Sequence, residues 1–155
     1  MATAVESRLA QLGLELPAAP QPVANFVPCV HTGSLLYVSG QIPVWNGQLR
    51  YVGKVGREVS TEEARAAARL CALNLIAQVK SFLGGLERVT RVCQLQVFVN
   101  ATPEFQDHPA VANGASDLMV DLFGPAVGKH ARFAVGSGSL PFNVAVEVAG
   151  VLEVA

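Results

Sequence analysis

Hydrophobic and polar residues alternate most regularly near the end of the chain. Residues 144–149 have the sequence VAVEVA, which places three valines on one face of a strand and Glu147 on the other. The residues that flank the glutamate on its own face are alanines, so they leave room above the carboxylate. The pattern therefore predicts a strand that offers one accessible carboxylate.

A second alternation, over residues 88–100, predicts the longest strand. One of its faces would be apolar, and the other would carry two glutamines and a phenylalanine. A face with neutral polar side chains suits an interface or a pocket wall better than open solvent. The predicted faces are Cys93, Leu95, Val97 and Val99 on one side, and Gln94, Gln96 and Phe98 on the other.

Two long segments have helical periodicity. The first begins at a capping box formed by Ser60 and Glu63, spans residues 61–83 and stops at Gly84. The second spans residues 109–123, with Asp107 as a possible N-cap. The predicted buried stripe of the first helix consists of Ala64, Ala67, Ala68, Cys71, Leu75, Val79 and Phe82.

The remaining elements lie in the first third of the chain. Residues 4–13 predict a short helix, and the prolines between residues 17 and 28 predict an extended connector. Residues 26–30 and 35–40 predict a hairpin. We therefore divide the chain into an N-terminal helix and connector, 1–25, and one domain, 26–155. The element order predicts an α+β fold, a single sheet with two helices on one face.

Composition narrows the classes of function. Hydrophobic residues make up 51% of the 155 residues and charged residues 15%, so we expect apolar surface to be buried between subunits. The net charge of −1 and the lack of a basic run argue against a nucleic-acid partner. Three widely spaced cysteines, no signal peptide and no long apolar run predict a cytoplasmic protein without a membrane span. The histidine spacing predicts no metal site.

Two ionic residues in the last quarter of the chain are candidates for chemistry. Arg132 could grip a carboxylate through two parallel hydrogen bonds, and Glu147 could orient or deprotonate a water. The commoner alternative is a solvated glutamate and an ordinary surface ion pair. Spacing alone favours that alternative.

Three motifs, which follow one another along the chain, favour the role in chemistry instead. They are YVSGQIPV at residues 37–44, VFVN at residues 97–100, and Arg132 followed by LP at 140–141 and VEV at 146–148. With this set, the chain from about Phe26 to the C-terminus resembles the Rid family (YjgF/YER057c/UK114), whose members include enamine and imine deaminases and proteins described as L-PSP-like endoribonucleases.

The resemblance implies a fold like that of the Bacillus-type chorismate mutase. It also implies a homotrimer with the sheets inward and ligand clefts between subunits. Glu147 would handle the hydrolytic water and Arg132 would hold the substrate carboxylate. Further implied pocket positions are Phe26 (a tyrosine in many relatives), Ser39, Gly40, Asn113 and the backbone of Ala134.

The function implied is hydrolytic deamination of small 2-imino or 2-enamino acids to 2-oxo acids and ammonia, without a cofactor. The first alternative is a non-catalytic, regulatory trimer that binds small carboxylates. The second is an endoribonuclease, against which the near-neutral charge weighs.

Overall fold

The computed structural model describes residues 4–155, and in it two layers surround one core. A five-stranded sheet in the order β1-β2-β7-β5-β6 forms one layer, and only its β5–β6 pair is parallel. Both long helices pack on the same face of this sheet, as predicted. The strands are β1 Cys29–Thr32, β2 Leu35–Gln41, β3 Val44–Trp45, β4 Gln48–Leu49, β5 Val89–Asn100, β6 Ala131–Ser137 and β7 Val146–Val154; the helices are α1 Ala4–Gln11, α2 Thr61–Leu83 and α3 His108–Gly128.

Helix α2 has the bounds that its capping signals predict. The Glu63 amide donates to the Ser60 hydroxyl over 3.1 Å, and the Glu63 carboxylate accepts from the Ser60 amide over 3.2 Å. Gly84 ends the helix in the left-handed conformation, with φ 79°. By length and composition α2 could span a membrane, but 67% of its most apolar window is buried within the fold, as in the core helix of a globular domain.

The predicted stripe of α2 is buried apart from its last member. Phe82 is 49% exposed, so its assignment to the core was wrong. Its ring lies edge-on to His31 of β1, the edge strand of the sheet, and no further strand covers it there. Phe82 therefore lies outside the core, while the next residue, Leu83, still packs against it.

Helix α3 differs from its prediction at both ends. Asp107 occupies the predicted N-cap position, but its backbone is not extended there and its side chain makes no capping hydrogen bond. Gly124, with φ 78°, interrupts the helix where the end was predicted, and Pro125 starts one more turn to Gly128. Within α3, a Cβ at Gly114 would overlap the Arg65 carbonyl of α2. The glycine thus lets the two helices touch.

Strand β5 carries the predicted alternation except near its start. Leu95, Val97 and Val99 are fully buried under the helices. Cys93 is partly exposed, because the register against β7 shifts between Val92 and Gln94 and puts Val92 in the core instead. That part of the prediction was wrong.

The other two cysteines lie in the core. Cys29 and Cys71 are both buried, and all three cysteines are free thiols. Burial raises the pKa of the Cys29 thiol to about 11 and also raises the pKa of Cys71. Such thiols hold little thiolate at neutral pH, so they act as small apolar residues.

The N-terminal helix packs outside the sheet layer. Helix α1 contacts α3, and the Nε atom of Arg8 donates to the Asp121 carbonyl over 2.9 Å. The connector that follows α1 runs back across the domain. Its amide at Ala18 donates to the Asn46 side chain over 2.9 Å, which ties it to the β3–β4 turn.

Candidate functional site

A cavity of about 580 Å³ lies where the connector crosses the end of β2 and the start of β7. Its walls are mainly apolar, and Glu147 is the one ionisable side chain among the described residues that line it. The lining residues comprise 18–23, Phe26 and Pro28 from the connector, Gly40, Gln41, Ile42, Val44, Gly47 and Leu49 from β2 to β4, Gln78 from α2, and Pro141, Phe142 and Glu147.

Strand pairing sets the direction of the Glu147 side chain. Glu147 pairs with Phe98 of β5, on the sheet face that points away from the helices. Its neighbours on β7, Val146 and Val148, are fully buried on the opposite face. The predicted alternation around Glu147 is therefore present.

The carboxylate of Glu147 has no hydrogen-bond or ion-pair partner among residues 4–155, and it is half-buried. Burial raises the pKa of this carboxyl above the ordinary value of 4.5. A carboxylate with unused lone pairs and a raised pKa can accept a proton from water or pair with a cationic ligand.

Gly40 makes room for this carboxylate. It lies in the irregular stretch of the β2–β7 register, between Val38 and Gln41. A Cβ at Gly40 would overlap the Oε2 atom of Glu147. A side chain there would displace the carboxylate, so the close approach explains the glycine in the YVSGQIPV motif.

Ser39, next in the chain, does not line the cavity. Its hydroxyl donates to the Val27 carbonyl over 2.8 Å, and its amide donates to the Pro28 carbonyl over 2.9 Å. It therefore holds the connector against β2 beside the cavity. Its predicted ligand contact stays a prediction.

Several lining residues were missed from the sequence. Gln78 of α2 is buried, and its Nε2 atom donates to the Pro20 carbonyl over 2.6 Å and to the Gln41 side chain over 3.4 Å. Phe142, with φ 57°, holds its ring at the cavity and is 66% exposed. A glutamine in the apolar stretch LNLIAQVK was the one signal for Gln78.

Arg132 lies on the other side of the sheet. It pairs with Leu95 of β5, whose side chain is buried under the helices, whereas Glu147 pairs with Phe98. Leu95 and Phe98 are three positions apart, so their side chains, and those of their partners, point to opposite faces. Arg132 and Glu147 therefore do not meet within the chain.

The guanidinium of Arg132 donates hydrogen bonds to residues of α3. Its NH1 atom donates to the Asn113 side chain over 2.8 Å and to the Ser116 hydroxyl over 2.9 Å, and NH2 donates to the Pro109 carbonyl over 3.4 Å. Ser116 also lies 2.9 Å from the Nε2 atom of His130. These contacts tie β6 to α3.

The structure thus divides the predicted site residues into two groups. Phe26, Gly40 and Glu147 meet at the cavity. Arg132, Asn113 and Ala134 lie on the helix side, away from it. In the part of the chain that the structure describes, no three His, Cys, Asp or Glu side chains gather as a metal site would require.

Comparison with known proteins agrees with the fold. Residues 6–153 match the family model described as "YjgF/chorismate_mutase-like, putative endoribonuclease". A solved Shewanella oneidensis structure, described as a putative endoribonuclease, is 36% identical, with a TM-score of 0.94 over 98% of this chain and 100% of that one.

Two curated relatives carry different descriptions. Protein TCP17 of Trypanosoma cruzi is 47% identical over 149 residues, which are 96% of this chain and 93% of that protein. The 2-iminobutanoate/2-iminopropanoate deaminase of Dermatophagoides farinae is 28% identical over 141 residues, 91% of this chain and 94% of that protein. With the family model spanning nearly the whole chain, the protein belongs to the YjgF/Rid family.

Proposed function

We propose that the protein hydrolyses the C=N bond of a small imine to a carbonyl compound and ammonia, with Glu147 as the general base. The observation that carries this proposal is the half-buried Glu147 carboxylate, which faces an apolar cavity and has no partner among residues 4–155. The family relationship to an imine deaminase supports the same reaction class.

The chemistry needs only a water and one carboxylate. The carbon of a protonated imine is already electrophilic. Glu147 takes a proton from water, the water oxygen bonds to that carbon, and the C=N electron pair moves to nitrogen. The protonated Glu147 then gives its proton to the amine nitrogen, the C–N bond breaks and ammonia leaves. Loss of the hydroxyl proton leaves the carbonyl product.

The environment of Glu147 suits both steps. Because burial raises its pKa, the carboxyl is a stronger base than an exposed glutamate and can still return the proton. Its negative charge also favours a cationic imine in the cavity. Gly40 allows the carboxylate to occupy this position.

A homotrimer with clefts between subunits is part of the proposal. The sheet face that carries Glu147 exposes large apolar side chains, which a second subunit would cover. Light scattering in solution tests the trimer, and a monomer at all concentrations would contradict it. The exposed residues on this face are Val30, Tyr37, Phe133 and Val135.

The activity test is direct. Amines and amino acids are oxidised in situ to imines, and hydrolysis is followed as competition with semicarbazide trapping. The wild-type protein should accelerate hydrolysis, and Glu147→Gln, which keeps the shape, should not. Equal rates for both proteins would remove Glu147 from the mechanism.

The two alternatives have less support from the cavity. A binder of small carboxylates and an endoribonuclease both need cationic side chains at the ligand. Within one chain, none of the described residues that line this cavity is a lysine or an arginine. Incubation with RNA, with Glu147→Gln as control, tests the second alternative.

A further inference from the structure

The guanidinium of Arg132 is hydrogen-bonded along only part of its edge. Its NH1 atom donates to the Asn113 side chain over 2.8 Å and to the Ser116 hydroxyl over 2.9 Å, which uses both NH1 hydrogens. The NH2 atom donates one long bond, over 3.4 Å, to the Pro109 carbonyl. No acceptor among residues 4–155 takes the Nε hydrogen or the second NH2 hydrogen. These two donors therefore remain available for an anion.

A chain of hydrogen bonds behind Ser116 has one consistent direction. The Gly128 carbonyl can only accept, so the Nδ1 atom of His130, which lies 2.6 Å from it, carries the ring proton. In neutral His130 the Nε2 atom is then an acceptor, and it takes the Ser116 hydroxyl proton over 2.9 Å. The Ser116 oxygen therefore presents only lone pairs to Arg132. His130 thus determines the direction of the Ser116 hydroxyl.

This direction matters for the order of the arginine side chain. A serine hydroxyl rotates freely, and without an acceptor at His130 its lone pairs would face Arg132 for only part of the time. The guanidinium would then be held less firmly against α3. A ligand would have to order the side chain on binding, which costs binding free energy.

The surroundings of Arg132 suit a ligand with a negative charge. The Asn113 amide nitrogen also has no acceptor among the described residues, so unpaired donors gather here. Arg132 lies on β6, an edge strand of the sheet, and both side chains are partly exposed. In the proposed trimer the clefts lie between subunits. The arginine of one subunit would therefore contact a ligand bound at Glu147 of another.

We infer that His130 is a positioning residue for carboxylate recognition: through Ser116 it fixes Arg132, so that the free guanidinium donors receive the carboxylate of an imino acid. The inference rests on the proposed function and on the predicted contact of Arg132 with a substrate carboxylate, because His130 acts only through that arginine. His130 itself touches no reacting atom.

Steady-state kinetics test the inference with 2-imino-4-methylpentanoate, which an amino-acid oxidase produces from leucine. His130→Ala should raise KM by about threefold to tenfold, because the imino acid must then order Arg132, and should leave kcat within about twofold. His130→Gln should restore KM, because its side-chain carbonyl can accept from Ser116 in place of Nε2.

The matched control is His31→Ala, which removes the ring of an exposed histidine on β1 and should change neither constant. A wild-type KM in His130→Ala, or no recovery of KM in His130→Gln, would overturn the inference.

Binding of the oxo acid product separates this inference from the proposed function. Calorimetry with 4-methyl-2-oxopentanoate requires no turnover. If wild type binds it and His130→Ala binds it about threefold to tenfold more weakly, the positioning role stands even when no imine is hydrolysed, and the proposed function alone fails. No binding to wild type, or equal binding to both proteins, overturns the inference.

A double variant tests whether His130 acts through Ser116. Ser116→Ala places a good helix former in α3 and removes the hydroxyl that links His130 to Arg132. It should weaken binding of the oxo acid about as much as His130→Ala does. The double variant should bind no more weakly than either single variant, because all three lack the same contact. Additive losses would overturn the inference, since His130 would then act by another route.

Discussion

Arg132 and Glu147 are both partly buried ionic residues, on strands β6 and β7 that flank β5 in one sheet, but their surroundings differ. The guanidinium of Arg132 donates to three acceptors, from Asn113, Ser116 and Pro109. The carboxylate of Glu147 has no partner among residues 4–155, and burial raises its pKa. On the helix side of the sheet the guanidinium is hydrogen-bonded within the fold, whereas on the outer side the carboxylate accepts no hydrogen bond from the described residues.

The difference in hydrogen-bond partners indicates different roles for Arg132 and Glu147. The Arg132 guanidinium makes three hydrogen bonds inside the fold out of the five that its N–H groups could donate, and these bonds stabilise the fold. An unpartnered carboxylate in an apolar cavity lowers stability, so a function is the physical reason to keep it. We therefore expect Arg132 to contribute to stability and propose Glu147 for the reaction; the contact of Arg132 with a substrate carboxylate stays a prediction.

The largest expected effect is the contrast in turnover between two variants. Glu147→Gln should lower kcat by about 10²–10⁴-fold, because an amide cannot take the proton of water. Arg132→Gln should leave kcat within about threefold on an imine without a carboxylate, because this side chain is not at the cavity. Steady-state ammonia release by both variants measures the contrast. A similar loss of kcat in both variants would contradict the different roles of the two residues.

Gly40→Ala should have the next largest effect. The new Cβ would displace the Glu147 carboxylate, and a shift of about 1 Å costs on the order of 10²-fold in rate. Gly138→Ala is the matched control, since nothing lies within 4 Å of its new Cβ. Turnover of the two variants on one imine makes the comparison, and full activity of Gly40→Ala would contradict the close packing.

Arg132→Met should affect stability rather than turnover. It leaves the acceptors of Asn113 and Ser116 without their donor, which should lower the free energy of unfolding by about 1–3 kcal/mol. Urea denaturation measures this loss. Arg57→Met, which removes an exposed arginine paired with Glu58, should change stability much less. Equal stability of wild type and Arg132→Met would refute the structural role.

The smallest expected effect is the pH dependence of the stability change in Glu147→Gln. Because folding raises the pKa of this carboxyl, its contribution to stability is fully present below the unfolded pKa and is lost as the pH rises through the folded pKa. At neutral pH Glu147→Gln should therefore melt a few degrees above wild type, and the gain should shrink as the pH falls towards 4. A lower Tm at pH 7 would indicate that Glu147 has a stabilising partner.

The fold followed largely from local signals. The capping box at Ser60 and Glu63 and the glycine at 84 determined the bounds of α2, because caps act within one turn. The alternation around Glu147 was equally local. Cys93 and Phe82 were misassigned, because a register shift in β5 and the position of the last turn of α2 depend on elements distant in sequence.

The site was less accessible to sequence reasoning for the same physical reason. Whether Arg132 and Glu147 share a face depends on the register in which β6 and β7 each pair with β5. That register cannot be derived from the number of residues between them. The connector wall depends on hydrogen bonds from Gln78 and Asn46, which are remote in sequence. Glu147, Gly40 and Phe26, which the family resemblance implied as pocket positions, do line the cavity.

The most direct test of the proposed role of Glu147 is the pH dependence of kcat/KM for one imine, measured on wild type and Glu147→Gln. In wild type, the rate should fall at acid pH with an inflection above 4.5, the ordinary pKa of a glutamate, as Glu147 becomes protonated. In Glu147→Gln, that inflection should be missing from the residual rate. The same acid inflection in both proteins would contradict the account, because the titrating base would then be another group.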